Sequence, residues 1–137
     1  MTVNVAWDSE IDDVIVYEFL HKWTWEEFLL AFNEECRMAQ EIGNRQYDVI
    51  GDTSKGTTLP IGAGITHIYS VYKRYPKNWG ITMIVTQNGF LRTMHKIGAR
   101  IHPDAKHAFL IVATLEEARN TILERRAETV THNTPCN

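Results

Sequence analysis

Hydrophobic positions along the first twenty residues follow the two-residue period of β-strands. Val3, Val5 and Trp7 take every second position, and the run VIVYEFL at residues 14–20 is rich in β-branched and aromatic side chains. The acidic stretch DSEIDD separates these two segments. This pattern predicts two strands joined as an antiparallel hairpin.

The next segment has the spacing of an amphipathic helix. Thr24 and Glu27 have the spacing of a capping box. In this motif the threonine hydroxyl accepts a hydrogen bond from a free backbone amide of the first turn, and the glutamate side chain accepts one from the backbone amide of the threonine. Gly43 is expected to end the helix, and Glu34 and Glu35 are assigned to its solvated face. Apolar residues recur at spacings of three and four and form the predicted buried stripe: Trp25, Phe28, Leu29, Phe32, Cys36 and Ala39.

Predicted strands and helices alternate in the rest of the chain. Apolar runs predict strands at residues 46–52, 81–87 and 107–113. Helices are predicted after Pro60, after Asn88 and after a second capping box that starts at Thr114, the last with Leu115, Ala118 and Ile122 facing inward. Because alternation favours right-handed crossovers, we predict one α/β domain over residues 1–128. Its mixed, mostly parallel sheet would have about five strands with about four helices, and residues 129–137 would form a flexible tail.

Composition excludes several classes of protein. The chain has 137 residues, 44% hydrophobic and 23% charged, which suits one globular domain. A net charge of -3 argues against nucleic-acid binding, and no apolar run is long enough for membrane insertion. The first ten residues lack the basic and apolar regions of a secretory signal, so we expect a cytoplasmic protein. The two cysteines and six histidines show no metal-ligand spacing, so we expect neither a metal nor another cofactor.

The most suggestive stretch is DTSKGTTLPIGAG at residues 52–64, which lies between a predicted strand and a predicted helix. Ligands of parallel sheets often bind at such strand ends, and a helix N-terminus favours anions. Lys55 precedes Gly56, so the order does not match a P-loop, and no third glycine completes a dinucleotide fingerprint. The simpler interpretation is a connecting loop in which Asp52 binds the amides that follow it. The candidate contact residues are Asp52, Thr53, Ser54, Lys55, Thr57, Thr58 and Gly62.

Four stretches occur in an order that resembles a known family. They are YDVIGDTS at 47–54, KNWGITMIV at 77–85, NGFLRTMHKIGA at 88–99 and TLEEAR at 114–119. Together they resemble the STAS domain, a family that includes anti-sigma factor antagonists and the cytoplasmic domains of sulfate transporters. The resemblance runs from about Val14 to Leu123 and implies a STAS-like fold.

This resemblance implies a non-enzymatic regulatory module with a protein partner of kinase-like or sigma-regulatory type. Antagonist members of the family carry a phosphorylated serine or threonine, often in a DSSG-like sequence, at the start of the helix after the central strand. The corresponding residues 59–64 read LPIGAG and lack both the acceptor hydroxyl and its aspartate. Thr57 and Thr58 lie nearby, and the helix N-terminus would favour a phosphate on either.

We therefore expect a cytoplasmic, non-enzymatic interaction module that binds its partner through the loop after Asp52. The alternative is a domain that binds or senses an apolar or anionic small molecule, lined by Trp23, Tyr69, Tyr72 and Trp79. A hydrolase or transferase would need Asp52 to converge with His67 or His102. The unpaired edge of the first strand, or an exposed helix, would permit a homodimer.

Overall fold

The computed structural model describes residues 2–55, 71, 73–87 and 109–133. Within this part the α/β class and the mixed sheet of five strands are confirmed, together with two helices. The helices predicted after Pro60 and Asn88 lie outside the described residues, so the total of about four stays a prediction. The elements are β1 (Val3–Trp7), β2 (Val14–Phe19), α1 (Trp25–Glu41), β3 (Tyr47–Asp52), β4 (Trp79–Val85), β5 (Phe109–Val112) and α2 (Leu115–Asn133).

The five strands lie in the sheet in the order in which they occur in the chain. β1 and β2 form the predicted antiparallel hairpin, with Val3 opposite Phe19. The other neighbours, β2 with β3, β3 with β4 and β4 with β5, are parallel. The carboxyl ends of β2 to β5 therefore meet at one edge of the sheet, which is where ligands of such sheets bind. β1 is an outer strand, and the homodimer predicted from its edge stays a prediction.

Helix α1 begins at the predicted capping box. The Thr24 hydroxyl accepts a hydrogen bond from the Glu27 amide at 3.2 Å and donates one to the Glu27 carboxylate at 3.2 Å. Glu27 also accepts from the Thr2 amide at 3.1 Å, which ties the start of α1 to the start of β1. Gly43 adopts a φ of 67°, the left-handed conformation that ends a helix at little cost when the residue is glycine.

Helix α2 begins at the second predicted capping box. The Thr114 hydroxyl accepts from the Glu117 amide at 3.1 Å, and the Glu117 carboxylate accepts from the Ala113 amide at 3.1 Å. Ala118 and Ile122 are buried as predicted. The helix continues past residue 128 to Asn133, and the division into a domain and a tail stays a prediction. Neither helix in the described part of the chain combines the length and the apolar character needed to cross a bilayer.

The two faces of the sheet are covered by different helices. Residues 47, 49 and 51 of β3 point towards α1, and residues 48, 50 and 52 point towards α2, because side chains alternate along a strand. We call these surfaces the α1 face and the α2 face. The core of the α1 face is mainly aromatic and includes Tyr17, Phe19, Trp23, Trp25, Phe28, Phe32 and Tyr47. The core of the α2 face is aliphatic and includes Val14, Ile50, Ile81, Met83, Val85, Val112, Ala118 and Ile122.

Candidate functional site

The described part of the predicted contact loop is held by its own hydrogen bonds. The Asp52 carboxylate accepts from the Ser54 amide at 2.9 Å and from the Ser54 hydroxyl at 2.6 Å. The Thr53 hydroxyl donates to the Val85 carbonyl at 2.7 Å, and the Lys55 ammonium donates to Glu18 at 2.6 Å. Asp52 therefore has the turn-forming role that the simpler interpretation gives it. The remaining candidates, Thr57, Thr58 and Gly62, lie outside the described residues.

The Lys55 hydrogen bond and charge also affect how Glu18 titrates. They hold the pKa of Glu18 below its usual value, and the same contact raises the pKa of Lys55. Both side chains are substantially exposed, so solvent screens the pair. The loop thus starts from a position that is anchored to β2 and to β4 at the carboxyl edge of the sheet. Its role in binding a partner stays a prediction.

Glu35 is where the sequence prediction for helix α1 was wrong. The residue is fully buried between the helix and the sheet instead of solvated. Its carboxylate accepts hydrogen bonds from the hydroxyls of Tyr17 at 2.5 Å and Tyr47 at 2.6 Å. A usable signal was present: Glu35 lies three residues after Phe32 and four before Ala39, on the buried stripe.

Burial dominates the electrostatics of this carboxyl group. It raises the pKa of Glu35 to about 7, although the hydrogen bonds from Tyr17 and Tyr47 oppose the rise. Burial and the neighbouring Glu35 charge likewise raise the pKa of Tyr17 and Tyr75, so both phenols stay protonated. Both described hydrogen-bond donors to Glu35 are phenols, so the carboxylate is bonded to no arginine or lysine of the described chain.

An aromatic pocket of about 70 Å³ lies on the α1 face, beside the Tyr17 ring. Seven of the thirteen described residues that line it are aromatic. Trp23 and Trp25 pack edge to face with centroids 4.7 Å apart, and Trp25 and Phe28 do so at 6.1 Å. The rings therefore meet at steep angles and form corners instead of one flat stack. The lining consists of Tyr17, Phe19, Trp23, Trp25, Phe28, Val49, Gly51, Thr53, Tyr75, Thr82, Ile84, Phe109 and Ile111.

Gly51 creates part of the space on the sheet side of the pocket. A Cβ atom at this position would have only Phe19 close by, at 3.6 Å, so a side chain there would enter free volume. Residues 51 and 53 belong to the carboxyl end of β3 and the start of the following loop. The pocket therefore reaches the edge of the sheet at which the predicted contact loop begins.

The hydroxyl groups in the pocket wall are already bound to the protein. The hydroxyl of Tyr17 donates to Glu35, and that of Thr53 donates to the Val85 carbonyl. The Thr82 hydroxyl accepts from the Trp79 indole at 3.1 Å and is also hydrogen-bonded to Tyr75. The wall thus presents mainly aromatic and aliphatic carbon to a ligand.

Two of the four residues predicted to line a ligand pocket fall in the described part of the chain. Trp23 lines the pocket, whereas Trp79 stacks on the pocket residue Tyr75 with centroids 4.0 Å apart. Tyr69 and Tyr72 lie outside the described residues. The sequence prediction missed Phe28 and Phe109, because an aromatic residue in a buried stripe gives the same pattern whether it fills the core or borders a cavity.

Two carboxylates on the α2 face are paired with arginines of helix α2. Arg119 binds Asp8 through two nitrogens, at 3.0 and 2.7 Å, and Arg126 binds the buried Asp48 at 3.0 Å. The other Asp48 oxygen accepts from the Ile81 amide at 3.0 Å, at the irregularity in the pairing of β3 with β4. Burial alone would raise the pKa of Asp8, but the Arg119 hydrogen bonds and charge lower it below its usual value.

Other kinds of site find no support in the described geometry. No three histidine, cysteine, aspartate or glutamate side chains converge as metal ligands within the described ranges. Both histidines proposed to work with Asp52, His67 and His102, lie outside those ranges. Searches against protein-family models, curated proteins and solved structures return no match to this chain.

Proposed function

We propose that this chain is a non-enzymatic sensing domain that binds a small apolar molecule, or the apolar end of a larger one, in the aromatic pocket. The observation that carries the proposal is the pocket itself, a space of about 70 Å³ bordered by seven aromatic rings on an otherwise packed face. Protein interiors are close-packed, and apolar pockets with few polar groups are the usual form of small-molecule sites.

The energetics favour a compact apolar group in this space. A space of about 70 Å³ is several times the roughly 10–15 Å³ of cavity that one water molecule needs, so it holds a compact group of several heavy atoms. Water placed there would find few free partners, because the wall hydroxyls are bound within the protein. Replacing such water with carbon gains about 25 cal/mol for each Å² of apolar surface removed from solvent.

Thr53 links the pocket to the predicted contact loop. For this reason we propose that the domain senses its ligand, with binding transmitted to the loop, and does not only hold it. The residue lines the pocket, and its hydroxyl and amide both bind the Val85 carbonyl, at 2.7 and 3.1 Å. A ligand that contacts Thr53 changes the packing of the residue from which the loop leaves the sheet.

The test is to fill the pocket from the sheet side. Gly51→Val places a branched side chain in the free volume at a strand position where valine is favoured. We expect the variant to fold and to lose at least about tenfold in affinity for apolar probes followed by tryptophan fluorescence. The matched control is Ala6→Val, which adds the same two γ-methyl groups to an existing Cβ on an exposed strand position. Equal probe affinity in wild type and Gly51→Val would refute the proposal.

A second candidate function is the STAS-like one, in which a protein partner binds the loop after Asp52. The observation that favours it is the set of hydrogen bonds that anchors residues 52–55 at the carboxyl edge of the sheet. The hypothesis that this loop is phosphorylated is tested by mass spectrometry of the protein from its native host. Absence of phosphate from residues 52–66 would remove the switch mechanism and leave only binding to the unmodified loop.

A further inference from the structure

One residue joins the aromatic pocket to the buried acid. Tyr17 presents its ring to the pocket, and its hydroxyl donates to the Glu35 carboxylate at 2.5 Å. The Tyr17 side chain therefore connects the pocket wall to a buried carboxylate. Nothing in the proposed binding of an apolar molecule requires this carboxylate, and its removal from water is costly.

We propose that the pocket selects a quaternary ammonium group, a cation that carries no N–H donors. This inference rests on the proposed function, because it names the ligand of the same pocket. Three features of the structure support it: the nature of the wall, the absence of competing charges from the described wall, and the position of Glu35.

The wall has the chemistry that such a cation requires. A quaternary ammonium group has no N–H donor, so it leaves no donor unpaired against a wall made mainly of carbon. It is attracted instead to the negative faces of aromatic rings, most strongly to tryptophan. Trp23, Trp25 and Phe28 meet at steep angles, so that one compact group can contact more than one ring. The volume of about 70 Å³ suits a trimethylammonium group.

The charges around the pocket favour a cation over an anion. None of the thirteen described lining residues is lysine, arginine, histidine, aspartate or glutamate. The Tyr17 hydroxyl donates to the Glu35 carboxylate, and this donation increases the electron density of the ring that lines the pocket. An anion in the pocket would meet no positive charge among the described lining residues and would repel Glu35.

The ionisation of Glu35 therefore controls how strongly the pocket prefers a cation. The groups that face it are Tyr17 from β2, Tyr47 from β3, Tyr75 from the segment before β4 and Cys36 on its own helix. The guanidinium group of Arg74 lies 5.4 Å from the centroid of the Phe32 ring, and its charge opposes the rise in the pKa of Cys36. Because the three phenols and the thiol have raised pKa values, Glu35 is the member of this group that gains charge near neutral pH.

The experiment compares a cation with a neutral molecule of the same shape on the full chain. The probes are choline and 3,3-dimethylbutan-1-ol, which differ in having nitrogen or carbon at the centre of the branched group. We expect choline to bind about tenfold more tightly than the alcohol at about pH 8. This preference should fall severalfold at about pH 5.5, where Glu35 is protonated. Glu35→Gln should show the lower preference at both pH values.

The possible results separate this inference from the proposed function. If the alcohol binds as tightly as choline and Gly51→Val blocks both, the inference is overturned and the apolar site stands. If neither probe binds the wild type, both proposals fail for groups of this size. A choline preference that is unchanged at about pH 5.5 and in Glu35→Gln would overturn the role of Glu35. The comparison of probes and of pH on the wild type needs no variant to fold.

Discussion

The α1 face and the α2 face bury carboxylates in opposite ways. On the α2 face, Asp8 and Asp48 each bind an arginine of helix α2, and Arg126 also donates to the carbonyls of Asp12 and Asp13 in the hairpin turn. On the α1 face, Glu35 is bonded to two phenols. Paired charges fix a helix in register, whereas a buried acid without a bonded cation lowers stability at neutral pH. Such perturbed groups concentrate at functional sites, and among the described residues Tyr17 is the one phenol that both lines the pocket and donates a hydrogen bond to Glu35.

The largest effect on stability is expected from breaking the pairing on the α2 face at Asp48. Asp48→Ala removes the partner of Arg126 and the acceptor of the Ile81 amide, and leaves both groups buried or half-buried. We expect a loss of about 3–5 kcal/mol in the free energy of unfolding, measured by urea denaturation. Asp48→Asn is the control, since it keeps an oxygen for the Ile81 amide and should lose less. A loss below about 1 kcal/mol in Asp48→Ala would show that this pair does not fix α2.

The second prediction concerns the pH dependence that Glu35 gives to the α1 face. A folded pKa of about 7 against 4.5 in the unfolded chain means that the folded state holds the proton more tightly. Stability is therefore full below about pH 4.5, falls as the pH rises, and levels off above about pH 7, with a total loss of roughly 3 kcal/mol. Urea denaturation at about pH 5 and about pH 8 measures this loss.

Glu35→Gln is the control for that measurement, because the amide fills the same volume and does not titrate. Its stability should be nearly equal at about pH 5 and about pH 8. The lowered pKa of Asp8 does not interfere, since its contribution is lost only as the pH falls below the usual aspartate range. If wild type and Glu35→Gln lose the same stability between the two pH values, the loss arises elsewhere.

Much of this architecture could be predicted from the sequence, because it depends on local patterns. The hairpin and the strands follow from runs and alternation of apolar residues, and each capping box follows from a threonine three residues before a glutamate. The end of helix α1 at Gly43 follows from the conformational freedom of glycine. Glu35 could not be assigned by residue type, since a glutamate is normally solvated. Its partners Tyr17 and Tyr47 lie 18 and 12 residues away, and only the pairing of β2 with β3 brings them together.

The pocket was harder to foresee than the strands for a related reason. Aromatic residues at buried positions predict a core, and the same residues border a cavity wherever the opposite side lacks a side chain. Here Gly51 provides that gap, and a glycine inside a strand gives no sign of whether it faces packed atoms or free space. The predicted contact loop is marked in the sequence by its glycines and hydroxyls, yet its described residues use Asp52 and Ser54 for a bond within the loop and Thr53 for a bond to β4.

The third prediction compares two strand glycines. An added Cβ at Gly80 would overlap the Asp48 carboxylate and the Gln46 amide, whereas one at Gly51 would make ordinary contact with Phe19 at 3.6 Å. We expect Gly80→Ala to lose about 1–3 kcal/mol in the free energy of unfolding, since it disturbs the acceptor of the Ile81 amide. Gly51→Ala should change stability by less than about 1 kcal/mol and can increase it. Equal losses in urea denaturation would mean that the two positions are equally crowded.

The smallest effect is expected at Lys55, which tests whether the loop and the pocket are separate surfaces. Its ion pair with Glu18 is exposed, at 60% and 34% of the two side chains, so Lys55→Ala should leave the urea midpoint unchanged within error. Glu18 alternates with the pocket residues Tyr17 and Phe19 along β2 and so belongs to the opposite face. Choline affinity should therefore stay within about twofold of wild type, while Gly51→Val lowers it at least about tenfold. If Lys55→Ala weakens choline binding as strongly as Gly51→Val, the loop belongs to the ligand site, and the separation between the two faces breaks down at the carboxyl edge of the sheet.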